Sequence, residues 1–194
     1  MKRLDSLDAL RGFDMMFIMG VGTLITAVCA LFPGGEDCFL ATTMRHCEWD
    51  GLHFMDTIFP LFLFIAGVSF PFSYAKQREN GFSKGRTYGK ILRRLVIMIM
   101  LGLVYNGWLS GSDWHNMRIY SVLARIGLAW AIAAVIYINC GRKARAIICP
   151  AILAGYWLLL MLVPAPDAPA GEGPFSMLGN LVGYIDRTLL PTHL

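Results

Sequence analysis

The sequence predicts an all-α polytopic membrane protein, a transmembrane bundle of about five spanning helices followed by a C-terminal amphipathic or re-entrant segment. Three observations carry that prediction. The 194-residue chain is 56% hydrophobic and only 15% charged, where a soluble domain has roughly a quarter of its residues charged. Its mean hydropathy is positive, at +0.55. The apolar residues also lie in long runs, and about 18 in succession can cross the hydrocarbon core as a helix.

Five runs qualify, near residues 12–32, 54–74, 95–111, 119–140 and 146–163. A sixth stretch, 175–190, carries Asp186 and Arg187 and reads as the amphipathic or re-entrant segment. Helical periodicity adds little, because a spanning helix can be apolar all round.

Charge between the runs gives the orientation, since Lys and Arg collect in cytoplasmic loops. The N-terminus offers Lys2, Arg3 and Arg11. The loop after the second run holds Lys76, Arg78, Lys84, Arg86, Lys90, Arg93 and Arg94 against Glu79, and the loop after the fourth holds Arg142, Lys143 and Arg145. The loop after the first run is instead acidic, with Glu36, Asp37, Glu48 and Asp50 against Arg45. The loop after the third pairs Asp113 with Arg118. Alternate loops are basic, so the N-terminus is expected in the cytoplasm and the loop bearing His46 outside, the membrane being the inner or plasma membrane if the cell is bacterial. The net charge of +4 then describes topology: the expected partner is a lipid bilayer and no nucleic acid. A cleaved signal peptide does not fit, because the first run is too long and Asp5, Asp8 and Asp14 interrupt a basic leader.

The five cysteines have no zinc spacing. Cys140 and Cys149 fall on the expected cytoplasmic side and should stay reduced. Cys38 and Cys47 share the outer loop, where pairing is open, and Cys29 reads as an apolar filler. Near the end, "VPAPDAPAGEGPF" has four prolines that exclude a regular helix. "NLVGYIDRTLLPTHL" stops on what looks like the approach to another span, so residues 1–194 are expected to be a single domain truncated at its C-terminus.

Ionisable groups at membrane depth cost roughly 2.5–3.5 kcal/mol at a helix centre, so each needs a partner or a task. Asp14, Asp56 and Arg125 are such groups, with Arg125 expected about two turns inside its span. For all three the alternatives are a polar helix contact and a functional role. His46 lies in "HCEWDGLHFMDTIFPLFLFIAGVSF", just before Trp49, an interfacial anchor by residue type. Histidine titrates near neutrality and can serve as base, acid or nucleophile, although a loop histidine can equally be a solvated surface group. His46, His53 and Asp56 match no strong metal-ligand pattern, so no metal is expected.

Four motifs in order resemble the heparan-α-glucosaminide N-acetyltransferase family of multi-pass membrane proteins. They are "RLDSLDALRGFDMMFI", the His46 segment, "MRIYSVLARIGLAWAIAA" and "GYIDRTLLPTHL". The second is the most specific, being similar to the family's His-x-x-Trp-x-Gly-Leu followed by Asp-x-x-Phe-Pro. The resemblance implies an acetyl-CoA-dependent N-acetyltransferase that moves acetyl from the cytoplasm to an amino sugar or glycan outside. It implies His46 as the catalytic residue, nucleophile or general base, with Asp56 as a supporting carboxylate. For substrate and coenzyme A it points to Arg11, Trp49, Arg125, Asp186, Arg187 and His193, with the basic loop around Lys90, Arg93 and Arg94 as a further phosphate candidate. Asp186 and Arg187 are expected to pair. Human-type members have an asparagine near the outer end of the first span, whereas "IMGVGTLIT" has none; Asn106 and Asn116 are the substitutes available. A membrane O-acyltransferase of glycans, a transporter and a non-catalytic scaffold are the competing readings, and a homodimer is left open.

Overall fold

The structure is a computed structural model, describing residues 5–106, 121–169 and 171–189. Among these residues every regular element is helical. Four helices are long and apolar enough to cross a membrane: Asp5–Cys29, Phe54–Glu79, Val122–Asn139 and Arg142–Leu162. The chain is thus an integral membrane protein by helix length and composition. It divides into two compact units, Met1–Lys76 and Gln77–Leu194.

In the first unit, α1 (Asp5–Met16) runs through a π-helical turn, Phe17–Val21, into α2 (Gly22–Cys29). Gly20 has φ +114° inside that turn, a conformation that side chains with a Cβ rarely adopt, so the span bends there. A short α3 (Phe39–Thr43) leads to α4 (Phe54–Glu79), which contains Pro60 and Pro71. Pro60 has no N–H to bond the Asp56 carbonyl, a gap that membrane helices tolerate where other groups compensate. Rings of Phe13, Phe17 and Phe54 meet at 4.8–6.4 Å between centroids, and Gly22 lies against the Met55 sulfur. The Arg11 guanidinium donates to Ser69 Oγ at 2.9 Å. These contacts join the first span to α4.

In the second unit, α5 (Lys84–Tyr105) pairs antiparallel with α6 (Val122–Asn139). Gly102 faces Ser121, Gly127 faces Met98 and Leu95, and Tyr88 donates to Asn139 Oδ1 at 2.9 Å. A Cβ on Gly102 would run into the Ser121 hydroxyl, so glycine sets how closely the helices approach there. Ser83 and Ser121 cap the two helices by accepting from Arg86 N–H and Ala124 N–H, as N-cap serines do.

The predicted third span differs from what is found. Its helix begins at Lys84, so the basic "loop" residues Lys90, Arg93 and Arg94 belong to the first half of α5. Its described apolar part ends at Tyr105, and the expected continuation to 111 lies outside the described residues. Lys90 stands over the Phe82 ring at 4.0 Å and Arg94 over Trp130 at 4.2 Å. Such cation–π contacts let a basic helix half stand beside aromatic surface.

α7 (Arg142–Leu162) follows, none of its most apolar window buried by the chain, as suits a helix facing lipid. The Pro-rich segment then folds back, Ala165 N–H donating to the Gly179 carbonyl at 3.0 Å. It leads to the amphipathic α8 (Leu181–Leu189), capped by Asn180 Oδ1 accepting from Gly183 N–H at 2.6 Å.

Candidate functional site

The segment between α3 and α4 contains Gly51 at φ +127°. A Cβ there would sit 3.7 Å from the Cys47 Cβ, an ordinary contact. The positive φ, not lack of space, therefore selects glycine. This turn brings Cys47 and His53 back to one carboxylate.

That carboxylate is Asp56, in the first turn of α4, where backbone N–H groups have no helical acceptor. Its Oδ2 accepts from His53 N–H at 2.9 Å, while Asp56 N–H donates to the His53 carbonyl at 3.1 Å. The reach back from the third helical position is the carboxylate half of a capping box. Cys47 N–H also approaches Oδ2, at 3.4 Å. Oδ1 is thereby left for His46, whose Nδ1 lies 2.6 Å away.

An acceptor-only carboxylate requires the proton on His46 Nδ1, so in the neutral ring the lone pair is at Nε2. The His46 side chain is 73% exposed and that of Asp56 only 21%. A half-sheltered carboxylate thus orients an imidazole whose reactive nitrogen is open. This is the base-plus-orienter arrangement of general-base and nucleophilic catalysis.

His53 differs in kind. Its Nδ1 donates to the Arg45 carbonyl at 2.9 Å, so it ties the two ends of the loop together. Cys47 donates its thiol to the Gly51 carbonyl at 3.3 Å, and the neighbouring Asp56 carboxylate holds that thiol above its ordinary pKa. It stays a thiol, a poor nucleophile. Trp49 is 47% exposed, three residues beyond His46. Among the described residues no group of three His, Cys, Asp or Glu is placed to hold a metal ion.

The other sequence candidates have different surroundings. Arg11 contacts Asp8 at 3.5 Å as well as Ser69. Asp14 is fully buried, with neither carboxylate oxygen partnered among the described residues. In the second unit α6 starts at Val122, so Arg125 lies in its first turn and is exposed; the expectation of two turns' depth placed the helix start too early. The expected Asp186–Arg187 pair is also corrected. Consecutive helical residues point about 100° apart, and Arg187 instead makes a bidentate pair with Asp167, both bonds at 3.0 Å, and donates to the Leu178 carbonyl. Asn106 is the C-cap of α5. His193 and Asn116 lie outside the described residues.

Sequence reasoning missed the clasp formed by His53 and the role of Asp167. The Asp56-to-His53 spacing of three at a helix start was a readable capping signal.

No protein-family model matches the chain. Across 97% of its length it is 30% identical to a human curated protein and 27% identical to a mouse one, both carrying the same name. The chain is similar to the heparan-alpha-glucosaminide N-acetyltransferases. It spans about a third, 32%, of the length of these relatives. The motif resemblance and the similarity over nearly the whole chain therefore point to the same family.

Proposed function

We propose that the chain is the histidine-bearing part of a membrane acetyltransferase. It takes acetyl from cytoplasmic acetyl-CoA and delivers it to the amino group of an amino sugar or glycan on the outer face. The observation that carries this reading is the His46–Asp56 pair, with Nδ1 held at 2.6 Å and Nε2 left open. The names of the relatives, N-acetyltransferases, support the reaction class, and the alternation of basic and acidic loops supports the orientation.

In the nucleophilic scheme, Nε2 attacks the thioester carbonyl, the C–S bond breaks and coenzyme A leaves as the thiolate. The acetylimidazolium keeps its proton on Nδ1, hydrogen-bonded to Asp56, whose negative charge stabilises it. The acceptor amine then attacks, the C–N bond to imidazole breaks, and the proton lost from the amine balances the thiolate. In the general-base scheme, Nε2 takes that proton while the amine attacks the thioester directly. Both need the neutral ring, so protonating it should abolish activity.

Exposed Arg125 and Arg93 carry guanidinium groups suited to the phosphates of coenzyme A, with Arg11 in the same role. Trp49 offers an aromatic face to a sugar ring. Arg187 is already engaged by Asp167, and Asp186 follows as a lesser candidate.

The test uses membranes carrying the full-length protein, labelled acetyl-CoA and glucosamine, with wild type and His46→Ala at matched levels. Label in an amide product, lost in the variant, is expected. Label in an ester would replace the reading with O-acylation, and transfer unaffected by His46→Ala would overturn it.

A further inference from the structure

α2 ends at Cys29, and the chain then turns back on itself. Phe32 N–H donates to the Cys29 carbonyl at 3.1 Å, Gly35 N–H to Phe32 at 2.9 Å and Cys38 N–H to Gly35 at 3.4 Å. Gly34 has φ +73°, and a Cβ on Gly35 would collide with the Cys29 carbonyl oxygen. Two glycines therefore let residue 38 return to residue 29. There Cys38 caps α3, its sulfur accepting from Ala41 N–H at 3.4 Å, and the two thiols are close enough for each to shift the other's ionisation. Both thiols are partly accessible. Cys47, the partner that the sequence offers to Cys38, turns its thiol to Gly51 instead.

We propose that Cys29 and Cys38 form an intramolecular disulfide that closes this loop, upstream of the His46 segment, on the outer face of the membrane. The external location rests on the orientation proposed above; the pairing of the two thiols does not. The Ala41 amide, foremost, draws the Cys38 thiol below its ordinary pKa, which favours it as the attacking thiolate. The oxidant is a disulfide, either of a thiol-oxidising protein or of oxidised glutathione. Cys38 thiolate attacks one of its sulfurs and expels the first thiolate. Cys29 sulfur, losing its proton, then attacks the mixed disulfide at Cys38 and expels the second. Two electrons pass to the oxidant, and the two cysteine protons balance the two thiolates released.

The sequence makes the test direct. No Lys or Arg lies between Arg11 and Arg45, so trypsin leaves both cysteines on one peptide with Glu36 between them, while Cys47 falls on the next. Cells expressing the full-length protein are acid-quenched and alkylated. The non-reduced tryptic digest is then cut at Glu36, in parallel with purified protein incubated with oxidised glutathione. The expected result in both is an unalkylated peptide, two hydrogens lighter, whose halves stay joined until reduction; Cys47→Ser leaves it unchanged and Cys29→Ser abolishes it. Joining of Cys38 to Cys47, or free Cys29 and Cys38 in both samples, would overturn the proposal. A link in the purified protein with free thiols in cells supports the pairing and contradicts the outward orientation.

Discussion

The two units treat their ionisable groups in opposite ways. In the second, several cations are closed by partners: Arg187 by Asp167 and Leu178, Lys90 by Phe82, Arg94 by Trp130 and Arg145 by the Tyr137 ring at 4.0 Å. In the first, Asp56 gives one oxygen to the His53 and Cys47 backbone N–H groups and the other to His46, a histidine that is itself largely exposed. A charge whose donors are satisfied holds structure. An imidazole oriented at one nitrogen and open at the other can do chemistry, and that difference singles out the 46–56 segment.

The strongest way to break the comparison is His46→Ala, which should reduce acetyl transfer by about 10²–10⁴-fold with normal insertion, read by labelled-product formation. Asp56→Asn comes next. It removes the ionic acceptor that fixes the tautomer, so transfer should drop roughly 10²-fold, within the range for losing positioned acid–base catalysis. Weakening the helix start should also cost about 1 kcal/mol, the usual value for a lost cap, read by thermal unfolding in detergent.

In the second unit the corresponding damage is structural. Gly102→Val drives a side chain into Ser121 and should destabilise the α5–α6 pair by about 1–3 kcal/mol, as overpacking does. The same unfolding assay checks it.

The smallest effect belongs to Asp167→Asn. Both partners are substantially exposed, so the pair is worth under about 1 kcal/mol, and transfer should not change. The Arg187 guanidinium holds the Asp167 carboxyl below its ordinary pKa. Its contribution is therefore complete above the ordinary carboxylate range and disappears as pH falls through the lowered value. Wild type should exceed Asp167→Asn slightly in stability at neutral pH, and the two should converge in acid.

Membrane architecture was legible because hydropathy and loop charge act over long runs. The described helices contain the cores of the first, second, fourth and fifth predicted spans. The third misled because a basic stretch reads as a loop, yet Lys84–Arg94 is helical and lies partly against aromatic rings. In the site, residue types were readable but pairings were not. His46 and Asp56 were both named, whereas their contact depends on Gly51 reversing the chain. Adjacency offers Asp186 to Arg187, but the partner is 20 residues away, brought back by the Pro-rich fold. Cys29 reads as filler by residue type, because its neighbour depends on a two-glycine return that composition does not reveal.

The central claim is that Asp56 holds His46 with its proton on Nδ1 and its lone pair on Nε2. The most direct test is a ¹⁵N spectrum of histidine-labelled protein in bilayers, taken with the ring neutral, with His46 assigned by difference against His46→Ala. The account predicts a protonated, hydrogen-bonded Nδ1 and a bare Nε2, lost in Asp56→Asn. A ring protonated at Nε2, or one unchanged by Asp56→Asn, would contradict it.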